Sequence, residues 1–493
     1  MTIICNQHKF QYEVECVCKM FFPCTRFGHE YDSTDFDRDD ILITRQKQGN
    51  THTYLLVIFK WNGKLYRAHK VVENQRAQKQ HCEEQLCTAL YEVLTKATGL
   101  QVQWGIMTGV RPAKYMTYLM KRGKSMPQIR REFRDRYLVS DQKIDLVERT
   151  AKNQFEIIGS SRENSYSLYI SIPFCPSRCN YCSFVSSSIA GAKARNLIQP
   201  YVEHLCRELA YIAEQAQALG LRLESIYIGG GTPTTLSAEQ LKQLTDAVRE
   251  YFLCDTVREY TIEAGRADTI TEEKLQVILR SGATRISINP QTFHDEVLRG
   301  IGRKHTAQQV IDCYQLAKKL GFTDINMDLI AGLPGDTLES FQRTIDTAIG
   351  LDPTNITVHA LSVKRSSSLY TVNGLDESLK QAQTVKMVDY AYRALTKQGY
   401  EPYYMYRQKN TLQNLENVGY CKQGYEGLYN IFIMEELHTI LAAGAGGVSK
   451  LIRPGCDKVR RIFNFKYPFE YLKDFDEILK RKDAISEFYG QIL

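Results

Sequence analysis

Between residues 160 and 365, short runs of β-branched and apolar residues alternate with longer stretches in which apolar positions recur every three or four residues. The first kind of run reads as strand and the second as amphipathic helix. Strands are expected at 167–172, 225–228, 260–263, 285–289, 324–330 and 355–360. Helices are expected at 198–219, 238–251 and 306–320. A parallel strand pair needs a long crossover, so this repetition predicts an α/β fold with a parallel sheet. Six such units fit a partial parallel (βα)6 barrel of the TIM type, with chemistry collected at the C-terminal ends of the strands.

The flanks read differently. Residues 1–155 mix a strand-like run at 53–60 with a helical pattern over about 73–98, which predicts an α+β extension of unassigned role. Within it, Met107-Thr-Gly-Val-Arg-Pro-Ala-Lys114 reads as a loop that starts a helix. Residues 366–493 are mainly helical by pattern, with a Tyr-rich patch at 400–406 and a Gly-rich turn at 444–447.

Composition narrows the class. The chain has 493 residues, 43% hydrophobic and 24% charged, which is ordinary for a globular protein of two or three domains. The formal net charge of +7 is mild over this length. It suits an anionic substrate and does not call for nucleic acid. No apolar run is long enough for a membrane span, and the N-terminus lacks a signal-like apolar stretch, so a cytoplasmic location is expected. A reducing compartment disfavours disulfides. Closely spaced cysteines among the 14 are then better read as metal ligands, and scattered ones as small buried hydrophobes.

The decisive segment is Ile172-Pro-Phe-Cys-Pro-Ser-Arg-Cys-Asn-Tyr-Cys182, a C-x3-C-x2-C directly after the first barrel strand. Zinc sites usually take four protein ligands, often from paired C-x2-C halves, and no partner pair stands out downstream. Three thiolates from Cys175, Cys179 and Cys182 suit a [4Fe–4S] cluster and leave the fourth iron without a protein ligand. That open iron can take the amino and carboxylate groups of S-adenosylmethionine (SAM), whose radical chemistry belongs to the cofactor.

Other strand ends carry polar groups. Gly229-Gly-Gly-Thr-Pro-Thr234 is a Gly-rich turn whose backbone N–H groups could meet a carboxylate. Glu263 ends the third strand and is followed by Ala-Gly-Arg. Gln291 and Arg303 follow the fourth, where Arg303 could pair with a carboxylate. Asp328 sits in an otherwise apolar fifth strand, where an unpaired carboxylate is costly. It is a plausible acceptor for ribose hydroxyls, or one half of a structural ion pair.

Over about residues 165–365 the chain resembles the radical SAM superfamily, and within it the oxygen-independent coproporphyrinogen III oxidases (dehydrogenases). The phrases EAGRADTI and GVRPAK and the long N-terminal extension look most like the HemZ type. The resemblance implies a SAM site at Tyr169, Tyr181, Gly230, Gly231, Thr232, Glu263, Gln291, Arg303 and Asp328, beside a [4Fe–4S] cluster on Cys175, Cys179 and Cys182. It implies an anionic tetrapyrrole substrate, a reduced flavodoxin- or ferredoxin-type electron donor, and a C-terminal region that covers the substrate. The implied reaction turns two propionates of coproporphyrinogen III into vinyls, giving protoporphyrinogen IX.

Ser171 stands where well-studied members carry histidine, and Phe184 where they carry a further cysteine. These departures bear on the substrate rather than the cluster. A haem-binding chaperone and another radical SAM tetrapyrrole reaction therefore stay open on the same scaffold. Lys364, Arg365 and Arg407 are expected to help bind propionates, and the Cys5, Cys16, Cys18 and Cys24 group is read as structural.

Overall fold

The computed structural model describes every residue except 24, 34–37, 363–376, 409–413, 453–458 and 491–493. Lys364, Arg365 and Cys24 thus lie outside the described residues. The chain divides into two compact units, one of Met1–Arg149 with Tyr406–Glu416 and the other of Thr150–Met405 with Asn417–Leu493.

The first unit holds a five-stranded sheet of β1 (Thr2–Asn6), β2 (Gly28–Tyr31), β3 (Ile41–Gln48), β4 (His52–Trp61) and β5 (Lys64–Glu73), in the order β2-β1-β3-β4-β5. In β4 the side chains of Thr53, Leu55, Val57 and Phe59 are buried on one face, the period of two that a half-covered strand requires. The helices Gln11–Phe21 and Lys79–Thr98 supply the apolar stripe that covers it, through residues such as Val14, Val17, Leu86 and Leu90. The helical pattern expected from about residue 73 begins only at Lys79. The edge strand β5 precedes it, and its alternating exposed residues hide it in the sequence. Cys5 and Cys18 are buried in this core.

In the second unit six parallel strands form the barrel sheet: β6 (Ser165–Ile172), β9 (Arg222–Gly230), β10 (Glu259–Gly265), β11 (Arg285–Ile288), β12 (Asp324–Ala331) and β13 (Asn355–Ala360). All lie within a few residues of their expected positions. The two-residue strands β7 (Phe174–Cys175) and β8 (Ser187–Ser188) pair within the cysteine loop. Along these strands apolar residues such as Leu168, Ile170, Ile226, Ile228, Ile262, Met327 and Leu329 alternate with polar ones such as Ser167, Ser225, Thr261 and Asn326, and both sets are buried because both faces are covered. Capping boxes at Ser237/Gln240 and Thr306/Gln309 start the helices Ala238–Tyr251 and Ala307–Leu320.

The C-terminal region is richer in helix than in strand, yet its strands join the barrel sheet. They are β14 (Glu401–Arg407), β15 (Glu416–Cys421), β16 (Thr439–Ala443), β17 (Val448–Leu451) and β18 (Arg460–Phe463). β15 lies antiparallel to β13, and β16 runs parallel to β6, with Ala443 opposite Ile170. The Gly-rich segment at 444–447 is therefore the strand-end turn of a further parallel strand. Gly444 has φ 89°, and a Cβ there would lie 2.5 Å from the Ser171 carbonyl oxygen.

Candidate functional site

The cysteine loop leaves β6 and is held from two sides. On one side the Gly231 amide donates to the Ile172 carbonyl at 2.7 Å and the Thr232 amide to the Phe174 carbonyl at 2.8 Å. These N–H groups are spent on the loop rather than left free for a ligand. A Cβ on Gly231 would lie 2.5 Å from the Phe174 oxygen and 3.0 Å from Cys175 Sγ, so only glycine fits. On the other side the Asn180 amide donates to the Ile301 carbonyl at 3.0 Å, and the Ser177 hydroxyl to the Gly302 carbonyl at 3.3 Å. The loop is thus clamped between the turn that ends the second barrel strand and the turn after the helix Asp295–Gly300.

The thiols have polar neighbours. Thr232 Oγ1 lies 3.6 Å from Cys175 Sγ, and Arg266 Nη1 lies 3.7 Å from Cys179 Sγ. Phe184, two residues past Cys182, is 62% exposed and adds no ligand. Among the described residues no three His, Cys, Asp or Glu side chains converge as a mononuclear metal requires. The three cysteines suit a cuboidal cluster instead, because each thiolate takes a separate iron and they need not meet at one point. Three thiols on one clamped loop, with hydroxyl and guanidinium donors to sulfur, fit such a cluster with one open corner.

Around this loop the strand ends present a partly buried polar set. Glu263 accepts a short hydrogen bond from the Tyr227 hydroxyl, and burial pushes its pKa up to about 7. Tyr169, Tyr227 and Tyr429 stack beside it, with ring centroids 4.7–6.2 Å apart. On β12, Asp328 accepts from Asn326 Nδ2 at 2.8 Å and lies 4.0 Å from His359 Nε2. Gln291 adopts φ 67°, and its backbone bridges to β12 through the Asp328 carbonyl and the Ile330 amide. Arg303 is buried, donating from Nη1 to the Asn289 carbonyl at 2.7 Å and from Nη2 to the Tyr181 hydroxyl at 3.0 Å. Tyr181 packs on the cluster of Val297, Leu298, Ile301 and Leu333.

Two outcomes differ from the sequence reading. Arg407 is buried and turned onto backbone carbonyls, which argues against a role in binding propionates. It is 3% exposed, lies 4.6 Å over the Trp104 ring, and donates to the carbonyls of Met107 and Gly109 at 2.5 and 3.2 Å. Burial pulls its pKa down to about 9. Conversely, Arg266 was passed over as the last residue of Glu-Ala-Gly-Arg, although it reaches a cluster cysteine. Its only signal was Asp268 two residues on, whose carboxylate it grips with Nε and Nη2 at 2.9 and 2.7 Å.

A parallel barrel sheet with a three-cysteine loop after its first strand defines a radical SAM protein, and residues 169–348 match the Radical SAM superfamily model. Such proteins use a [4Fe–4S] cluster and SAM. At 39% identity over 408 residues, covering 80% of both chains, it is similar to the oxygen-independent coproporphyrinogen-III oxidase-like protein HemZ of Bacillus subtilis. The chain belongs to this HemZ-like family of the radical SAM superfamily. It is also 30% identical to the heme chaperone HemW of Bacillus subtilis, over 57% of this chain and 70% of that one. The solved structure of coproporphyrinogen III oxidase (HemN) from Escherichia coli shares the fold, with a TM-score of 0.51 and 22% identity over 66% of this chain and 72% of that one. Among the described residues no helix is long and apolar enough to cross a membrane.

Proposed function

We propose that this chain oxidatively decarboxylates coproporphyrinogen III to protoporphyrinogen IX. The observation that carries this reading is the likeness to the coproporphyrinogen-III oxidase-like protein HemZ over 80% of both chains; the carboxyl groups of Glu263 and Asp328, each with a hydrogen-bonding partner in place, support the SAM site that the reaction needs. The cluster and SAM supply one-electron chemistry that removes a hydrogen atom from the substrate. Each propionate then loses that β-hydrogen, carbon dioxide and one electron to an external acceptor, leaving a vinyl group.

The chain's own residues bind, orient and exclude water. Ionised Glu263 would accept the ammonium of SAM. Asp328, oriented by Asn326, would accept ribose hydroxyls. Gly230, Gly231 and Thr232 fix the loop edge and would hold the methionine part of SAM. Gln291, Arg303 and Tyr181 would complete its site, Arg303 being anchored on the Asn289 carbonyl. The stacked tyrosines Tyr169, Tyr227 and Tyr429 keep this end of the barrel dry, which strengthens each charge contact.

The test is anaerobic cluster reconstitution, reduction, and addition of SAM with and without coproporphyrinogen III. Substrate-dependent 5′-deoxyadenosine with loss of two carbon dioxides per porphyrinogen supports the reading. Deoxyadenosine without porphyrinogen conversion rejects the substrate. A second reading, haem delivery, is favoured by Phe184 at the position of the missing cysteine and by the likeness to HemW. Stoichiometric haem binding without turnover would establish it instead.

A further inference from the structure

The three cluster cysteines do not have equal surroundings. Cys175 has the neutral hydroxyl of Thr232 at 3.6 Å, whereas Cys179 has the guanidinium of Arg266 at 3.7 Å, with the Arg303 guanidinium also beside it. Arg266 is 3% exposed and every nitrogen of its fork is engaged. Nε and Nη2 grip Asp268, and Nη1 reaches the Ser177 carbonyl and hydroxyl, both at 3.0 Å, as well as the sulfur. Asp268 is in turn held by His305 Nδ1 at 3.4 Å, and both it and the arginine lie on the segment after β10. The cation is therefore fixed by one strand end and aimed at a ligand on another.

We propose that Arg266 is a positioning residue that sets the reduction potential of the cluster through Cys179. Hydrogen bonds and charge next to the sulfurs are known levers on cluster potential. A fixed cation beside a thiolate stabilises the more negative, reduced cluster over the oxidised one, and because Arg266 and Cys179 are both buried its field is weakly screened. Arg266 thus makes the one-electron reduction that begins turnover easier for a donor of given potential.

The test uses the full-length protein with its cluster reconstituted, and reads the midpoint potential by electron paramagnetic resonance during a mediated titration, with iron and sulfide content measured alongside. Arg266→Gln keeps an amide donor where Nε faces Asp268 but removes the charge. At unchanged iron content it should lower the reduced-to-oxidised ratio at fixed poise about tenfold, a shift of about 59 mV to more negative potential for one electron. Arg266→Lys, which keeps the charge, should stay within threefold of wild type. A glutamine variant that holds no cluster while the lysine variant holds a full one also supports a role for the charge. Unchanged potential in a fully loaded Arg266→Gln overturns the proposal. So does failure of both variants to hold iron, because the residue would then only build the loop.

Discussion

The carboxyl of Glu263 lies against the phenol of Tyr227 inside a stack of three tyrosines, and burial raises its pKa to about 7. In the folded, ligand-free protein Glu263 keeps its proton to about pH 7, while in the unfolded chain it loses it near 4.5. Between these values the folded state binds more protons, so stability falls as pH rises. Glu263→Gln should flatten that slope and leave the variant more stable at pH 8 by up to about 3 kcal/mol. Urea unfolding at pH 5, 7 and 8 checks it. If the variant tracks wild type at all three, the assigned shift is wrong.

The same proton governs ligand binding. An ammonium partner needs Glu263 ionised, so SAM affinity in the cluster-loaded protein should weaken about tenfold per pH unit below 7, and Glu263→Gln should remove this dependence. Calorimetric titration between pH 6 and 8 reads it, and a flat wild-type profile would contradict the assignment.

Gly231 and Gly350 form a matched pair of tests. Gly231→Ala forces a methyl to 2.5 Å from the Phe174 oxygen and should cost about 1–3 kcal/mol and most of the bound iron. Gly350 lies in the helix Leu338–Leu351 with nothing within 4 Å of a new Cβ. Gly350→Ala should gain about 0.5–1 kcal/mol and keep its iron. Equal iron content in both variants would show that the loop tolerates displacement.

Arg407→Ala should destabilise the first unit by about 3 kcal/mol, because it leaves the carbonyls of Met107 and Gly109 without their donor. It should leave the KM for porphyrinogen unchanged. A raised KM with unchanged stability would restore the propionate role that burial argues against.

His438 acts in the opposite pH direction from Glu263. Its ring stacks on Phe432 at 3.7 Å, and burial lowers its pKa to about 4. Between pH 6.5 and 4 the unfolded chain binds the extra proton, so up to about 3 kcal/mol of stability is lost as pH falls through that window. His438→Asn should flatten this acid limb in urea unfolding measured at pH 4, 5 and 6.5, and an unaltered limb would assign it to other groups.

The barrel was legible because its six strands are short, rich in β-branched and apolar residues, and separated by long amphipathic helices, several with clear caps. The cysteines were legible because three thiols in eight residues have few structural reasons to occur. β16 was not, since Thr-Ile-Leu-Ala-Ala running into glycines looks the same as a buried loop until its partner β6 is known. Arg266 and Arg407 were exchanged in importance for one reason. A sequence shows that an arginine is present but not which carbonyls or sulfurs it faces, and these arginines find theirs 87 and about 300 residues away along the chain.

β16 also constrains the order in which the protein can be completed. The cysteine strand β6 has β9 on one side and, on the other, a strand about 270 residues further along the chain. As the polypeptide emerges during synthesis, one edge of the strand that leads into the cysteine loop stays open until Thr439–Ala443 has been made. Ser171, at the end of that strand, likewise waits for the Ala445 carbonyl to which it donates at 2.8 Å. Nascent or truncated chains ending before Thr439 should therefore take up iron poorly, so that cofactor insertion reports on completion of the fold.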